Sequence, residues 1–163
     1  MHITIQKGGL EHLNDCVQAL VDSELGRLYF TGEGSAERAV REGLVQRTLY
    51  VALADGACAG FAWYLPKGAF HSFPYLHIIA ISAPFRGKGF GRQLLAFIES
   101  LAFAEADKLF LVVADFNPRA RRFYEKAGYR LVGEIPDLYR RGITECLLMK
   151  KRTCRNDSCR FSG

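Results

Sequence analysis

An apolar run, a turn crowded with glycine and an amphipathic helix follow one another between residues 75 and 106, and this succession constrains the fold more than any other feature of the chain. The run is Tyr75-Leu-His-Ile-Ile-Ala-Ile-Ser82, short and apolar enough for a buried strand. The turn is Arg86-Gly87-Lys88-Gly89-Phe90-Gly91. Glycine has no Cβ, so the backbone here is free to take φ > 0 and to come within hydrogen-bond distance of a ligand. The helix read over residues 91–106 aims its unpaired first-turn N–H groups and its positive dipole end at the same spot. Arg86, Lys88 and Arg92 add charge, and the whole is a cradle for an anion.

Phosphate-binding loops differ in how they place their glycines. The dinucleotide pattern Gly-x-Gly-x-x-Gly fails, because its sixth place is Arg92 when counted from Gly87 and Leu94 when counted from Gly89. The triphosphate P-loop fails as well, since Lys88 is followed by Gly89 and no hydroxyl is available for a metal. What remains is Arg-x-x-Gly-x-Gly, fixed at Arg86, Gly89 and Gly91. This resembles the acyl-CoA pyrophosphate loop of the GNAT superfamily of N-acyltransferases. A second segment strengthens the resemblance: Leu109-Phe-Leu-Val-Val-Ala114 reads as a strand, and Asp115-Phe-Asn-Pro-Arg-Ala-Arg-Arg-Phe-Tyr-Glu-Lys-Ala-Gly-Tyr129 follows it. Asn117, Ala120, Phe123, Tyr124, Glu125, Lys126, Gly128 and Tyr129 fit the superfamily's second cofactor segment. The resemblance covers residues 48–150 and is weaker over the N-terminal helices.

The rest of the chain alternates strands and helices with no repeat or linker. Residues 2–7 alternate as a strand that Gly8 and Gly9 end, helical spacing runs from Leu10 to Val21, and a second helix spans residues 35–46. Between these helices, residues 25–34 read as a loop. Residues 48–54 and 58–65 are strands joined by Asp55-Gly56, a strong hairpin signal. Residues 67–74 form an aromatic loop, and residues 129–134 and 143–150 close the fold as strands. The resemblance implies a single-domain α/β fold: a mixed, mostly antiparallel sheet of about seven strands flanked by about four helices, with a splayed parallel strand pair holding acetyl-CoA. The domain is expected over residues 1–150, with a polar, flexible C-terminal tail over 151–163.

Composition bounds the function. A chain of 163 residues, 49% hydrophobic and 24% charged, suits one globular domain. Its 22 basic and 17 acidic residues leave +5, carried in part by the anion loop, Arg119, Arg121, Arg122 and the tail; nucleic-acid binding asks for a continuous basic face and is not expected. No stretch reaches the roughly 20 apolar residues needed to cross a bilayer, so no membrane partner is expected and the location is read as cytoplasmic. Cys16, Cys58 and Cys146 read as small buried hydrophobes. Cys154 and Cys159 stand in the tail without a second Cys or His pair, and no metal site is expected.

The resemblance implies transfer of an acetyl group from the cosubstrate acetyl-CoA to a primary amine of a small molecule or a peptide or protein N-terminus, by direct attack on the thioester. The alternative is a non-catalytic acyl-CoA-binding sensor or regulatory module. The same resemblance implies cofactor contacts at the backbone of Ile79 and Ile81, at Arg86, Gly87, Lys88, Gly89, Gly91 and Arg92, and at Asn117. Tyr124 stands where the superfamily's general-acid tyrosine stands, and His77, by alternation on one strand face with Tyr75 and Ile79, is the first candidate for proton acceptor, with an acidic residue or water as alternatives. Tyr29, Phe30, Trp63 and Phe73 are expected at the acceptor side, together with Tyr64, Phe70 and Tyr139. Glu24, Glu33 and Asp137 are acids able to attract a cation. The assembly is read as a monomer or homodimer.

Overall fold

Asp55 and Gly56 both adopt positive φ, 48° and 87°, the pair of left-handed conformations that a two-residue type I′ hairpin turn demands. They join β2 (Leu49–Ala54) to β3 (Ala57–Ala69) in a computed structural model that describes residues 2–153; the tail with Cys154 and Cys159 lies outside the described residues. The expected aromatic loop is mostly strand. β3 runs on to Ala69 and β4 (Phe73–Ile81) starts at Phe73, so only Phe70, His71 and Ser72 make the turn, with Phe70 and His71 at φ 55° and 56°.

Before the hairpin come β1 (Ile3–Lys7), α1 (Leu13–Val21), α2 (Glu24–Tyr29) and α3 (Ser35–Val45). After β4 come α4 (Phe90–Glu105), β5 (Lys108–Ala114), α5 (Pro118–Lys126), β6 (Arg130–Pro136) and β7 (Thr144–Lys151). Among the described residues the seven strands form one sheet in the order β1-β2-β3-β4-β5-β7-β6, antiparallel at every pairing except the parallel β4–β5.

The described residues form five α-helices, one more than the sequence leads us to expect. α2 is a six-residue helix within what reads as loop, started by Ser23, whose side chain accepts a hydrogen bond from the Gly26 N–H at 3.0 Å. Gly26 weakens helix propensity, yet a Cβ there would run into the carbonyl oxygen of Leu20. Close packing of α2 on the end of α1 requires the glycine.

Alternation along the strands sends side chains to two cores. On one face Leu20, Val40 and Leu44 of α1 and α3 meet Leu49, Phe61, Trp63 and Ile78. On the other, Leu94, Leu95 and Ile98 of α4 meet Ala62, Leu76, Leu109, Leu111 and Leu148, with Tyr124 and Tyr129 at the α5 end. Among the described residues no helix is long and apolar enough to cross a membrane.

Candidate active site

Parallel strands β4 and β5 are in register only at Tyr75 and Phe110, and beyond that pair they part. A bulge marks the place. Trp63 of β3 faces Ile78 and Tyr64 faces Leu76, which leaves His77 with no cross-strand partner. A bulge bends its strand and strengthens the local twist, turning β4 away from β5 where the gap opens. The bulge also interrupts the expected alternation. Ile79 and Ile81 pack toward the α4 core, whereas the His77 ring rests edge-on against Trp63, 4.7 Å between centroids, in the core of the other face.

Between the parted strands lies a cavity of about 390 Å³. His77 and Ile79 line it from β4, Val112 to Ala114 from β5, and Asn117, Phe123 and Tyr124 from the start and middle of α5. Tyr29 and Phe30, at the end of α2, Tyr139, from the β6–β7 turn, and Glu145 of β7 complete its wall. Trp63 and Phe73 lie outside it. Trp63 is buried, donates its indole N–H to the Thr48 hydroxyl at 3.0 Å and backs His77. Phe73 packs on Phe110 at 5.7 Å with the Lys108 ammonium over its ring. Tyr64 is buried in the α4 core, where burial pushes its phenol up to about 12, and Phe70 packs on Phe110.

The glycine turn adjoins this cavity. Gly89, at φ 86°, precedes α4 as its N-cap and offers no side chain to its first turn, so the N–H groups of Phe90, Gly91 and Arg92 have no intrahelical acceptor. Gly87 is also left-handed, at φ 74°, and a Cβ on either glycine would meet nothing within 4 Å, so the conformation rather than crowding calls for glycine. Gly91 sits against Ile81 and Phe123, and Phe123 lines the cavity, which links the mouth of α4 to the gap. Arg86 spends its guanidinium on the protein's own carbonyls, Ile81 at 2.9 Å and Asp22 at 3.0 Å, tying the turn to β4 and α1. Lys88 and Arg92 are exposed.

α5 presents the second set of groups. Asn117 caps it, its Oδ1 accepting from the Ala120 N–H at 3.1 Å, which leaves the Nδ2 amide for another partner. Tyr124 is buried to 7% exposure and takes no hydrogen bond from any described residue, although it lines the cavity; burial raises its phenol above the ordinary range and keeps it protonated. Gly128, at φ 97°, ends the helix, and Tyr129 beyond it donates to Glu99 at 3.1 Å, so these two motif residues hold α5 in place. His77 is pushed below its ordinary value, chiefly by burial and against a smaller opposing pull from Glu42, and is a neutral imidazole at pH 7.

One carboxylate at the cavity escapes a reading of the sequence. Glu145 is 2% exposed, and Tyr29 donates its phenol to Oε1. Desolvation raises its carboxyl, partly offset by the Tyr29 hydrogen bond. Glu24, Glu33 and Asp137 lie on the surface instead, Asp137 accepting from the Gly142 N–H in the β6–β7 turn. Among the described residues no group of three or more His, Cys, Asp or Glu side chains is placed to hold a metal. Chemically, the arrangement brings together backbone N–H groups without an acceptor, a cleft between strands, a neutral imidazole and a protonated phenol.

Known proteins resemble this chain in sequence and in fold. The sequence profile of the acetyltransferase (GNAT) family matches residues 17–129. Blasticidin-S acetyltransferase of Streptomyces morookaense is 38% identical over 79 residues, 47% of this chain and 57% of that protein. N-alpha-acetyltransferase RimI of Mycobacterium tuberculosis is 30% identical over 101 residues, 61% of this chain and 63% of that protein. The chain thus spans about three-fifths of the length of each of these relatives. The fold is that of the PaiA N-acetyltransferase of Thermoplasma acidophilum, solved in complex with coenzyme A, with a TM-score of 0.72 at 19% identity over 93% of this chain and 100% of that one.

Proposed function

Because this chain belongs to the acetyltransferase (GNAT) family, we propose that it is an N-acetyltransferase, carrying an acetyl group from acetyl-CoA to the primary amine of a small molecule or of a peptide N-terminus. The observation that carries the reading is the cavity between the parted strands β4 and β5, joined through Phe123 and Gly91 to the open first turn of α4. In this reading the backbone donors of Gly87 to Arg92 bind the cosubstrate's pyrophosphate, where dipole and N–H groups favour negative charge. Lys88 and Arg92 add charge, Arg86 fixes the loop, and the Asn117 amide and the β4 backbone at Ile79 and Ile81 hold the arm that enters the gap.

The chain's own groups then manage protons. An alkyl amine, with a pKa near ~10, is almost wholly protonated at neutral pH and must lose a proton before it attacks. His77, neutral and lining the cavity, accepts it, directly or through water. The Ile79 N–H meets the oxyanion of the tetrahedral intermediate. Tyr124, kept protonated by burial, gives its proton to the departing thiolate as the C–S bond breaks, and its phenolate recovers one from the nitrogen, which sheds its second proton on becoming an amide.

Tyr29, Phe30 and Tyr139 stand on the acceptor side. The relatives' names point to two kinds of acceptor, blasticidin S and an α-amine. Incubating the protein with acetyl-CoA and a panel of amines and peptides, with release of free CoA as readout, tests the proposal. CoA release with at least one acceptor class is the expected result. Binding of acetyl-CoA without release across the panel identifies a sensor instead.

A further inference from the structure

Glu145 is the one charged residue among the described residues that is buried, and it faces the cavity rather than another part of the protein. No Lys, Arg or His among the described residues forms an ion pair with it. Tyr29 occupies Oε1, and no described residue donates a hydrogen bond to Oε2. A buried carboxylate without a cation is costly, and a cation that enters the cavity and pairs with it relieves that cost. Its surroundings suit such a partner. The Tyr29 ring is met edge-on by Phe116 at 5.6 Å and by Tyr139 at 5.7 Å, and all three line the cavity. Aromatic faces attract an organic cation and exclude water around it. Arg140, the cation that lines this wall, stacks over Tyr29 at 5.6 Å without pairing with Glu145.

From this we infer that Glu145, oriented by the Tyr29 phenol and flanked by Phe116 and Tyr139, docks a positively charged nitrogen of the acceptor, so that the acceptors of this protein are alkylammonium compounds rather than neutral amines. The inference rests on the acetyl-transfer reading of the same cavity and adds the recognition group and the substrate class. Glu145 here is a specificity residue; the reacting proton stays with His77 and Tyr124.

The probes are n-hexylammonium and n-hexanol, which share an apolar tail and differ in charge. Titrated into the wild-type chain and followed by amide chemical shifts, hexylammonium is expected to bind at least ten-fold more tightly than hexanol. Its largest shifts are expected at Thr144 to Cys146 and near Tyr29. Glu145→Gln, which keeps the oxygen that Tyr29 contacts, is expected to erase the preference while leaving acetyl-CoA affinity within two-fold. In the acetyl-transfer assay the same variant raises KM for alkylammonium acceptors about ten-fold and changes kcat by less than three-fold. Equal affinity of the wild type for the two probes, shifts confined to other sites, or a preference that survives Glu145→Gln overturns the inference. Absence of acetyl-CoA binding in the wild type counts against the acetyl-transfer reading alone, since the probe titration needs no cosubstrate.

Discussion

Burial shifts the titration of His77, Tyr124 and Glu145 at the cavity, and the shifts at Tyr124 and Glu145 have measurable consequences. Tyr124 is held protonated by desolvation and has no hydrogen-bond partner among the described residues, the state a general acid needs at pH 7. Tyr124→Phe removes one oxygen from a site that otherwise keeps its shape. Turnover in the amine assay is expected to fall about 10²-fold, the lower end for loss of a positioned acid, with acetyl-CoA affinity unchanged. Glu145 behaves differently. Its carboxyl is raised by burial, so the native state binds its proton more tightly than the unfolded chain does. The stability this group contributes is complete below the ordinary carboxyl value of 4.5 and is lost as pH rises through its elevated native value. Once ionised, the group therefore works against the fold. Glu145→Gln is expected to melt a few degrees above the wild type at pH 7, with the gap closing as pH falls toward 4, as thermal scans at both pH values will check.

The elements carry function through their ends. α4 opens on two left-handed glycines with free space around them, so Gly89→Ala meets no atom but forces an alanine to φ 86°. A left-handed non-glycine residue costs about 1–2 kcal/mol, and relief of that strain moves the first-turn donors. Calorimetry with acetyl-CoA is expected to show affinity reduced about ten-fold, whereas Gly91→Ala, whose Cβ would make ordinary contacts of 3.7 Å with Ile81 and Phe123, leaves the fold's stability intact. At α5 the Asn117 cap and the ligand contact proposed for Asn117 separate in one substitution. Asp caps a helix as well as Asn does but has no Nδ2 donor. Asn117→Asp is expected to keep the melting temperature and to weaken acetyl-CoA binding several-fold in the same titration.

At the scale of the whole molecule, what the sequence discloses is local and what it hides is long-range. Strand, glycine turn and helix from Tyr75 to Glu105 are legible because strand alternation, φ > 0 and helical periodicity each leave a mark within a few residues. The Asp55-Gly56 hairpin is legible for the same reason. The bulge at His77 is not, since it exists only in the register of β4 against β3, and it alters which core His77 rests on. The short helix α2 hides behind Gly26, whose reason is contact with α1. The Tyr29–Glu145 pair joins residues 116 positions apart, and a single acid within an apolar strand gives no sign of facing a cavity. The aromatic residues named from sequence divide accordingly: Tyr29 and Phe30 reach the cavity through α2, while Trp63 supports His77 from behind. All of this rests on one claim, that the gap between β4 and β5 and the mouth of α4 form one continuous site for an acyl-CoA. Isothermal titration of the wild-type chain with acetyl-CoA tests it most directly: saturable binding at one site per chain, weakened by Gly89→Ala, is the predicted result, and the absence of any heat of binding, or an affinity indifferent to that substitution, would contradict it.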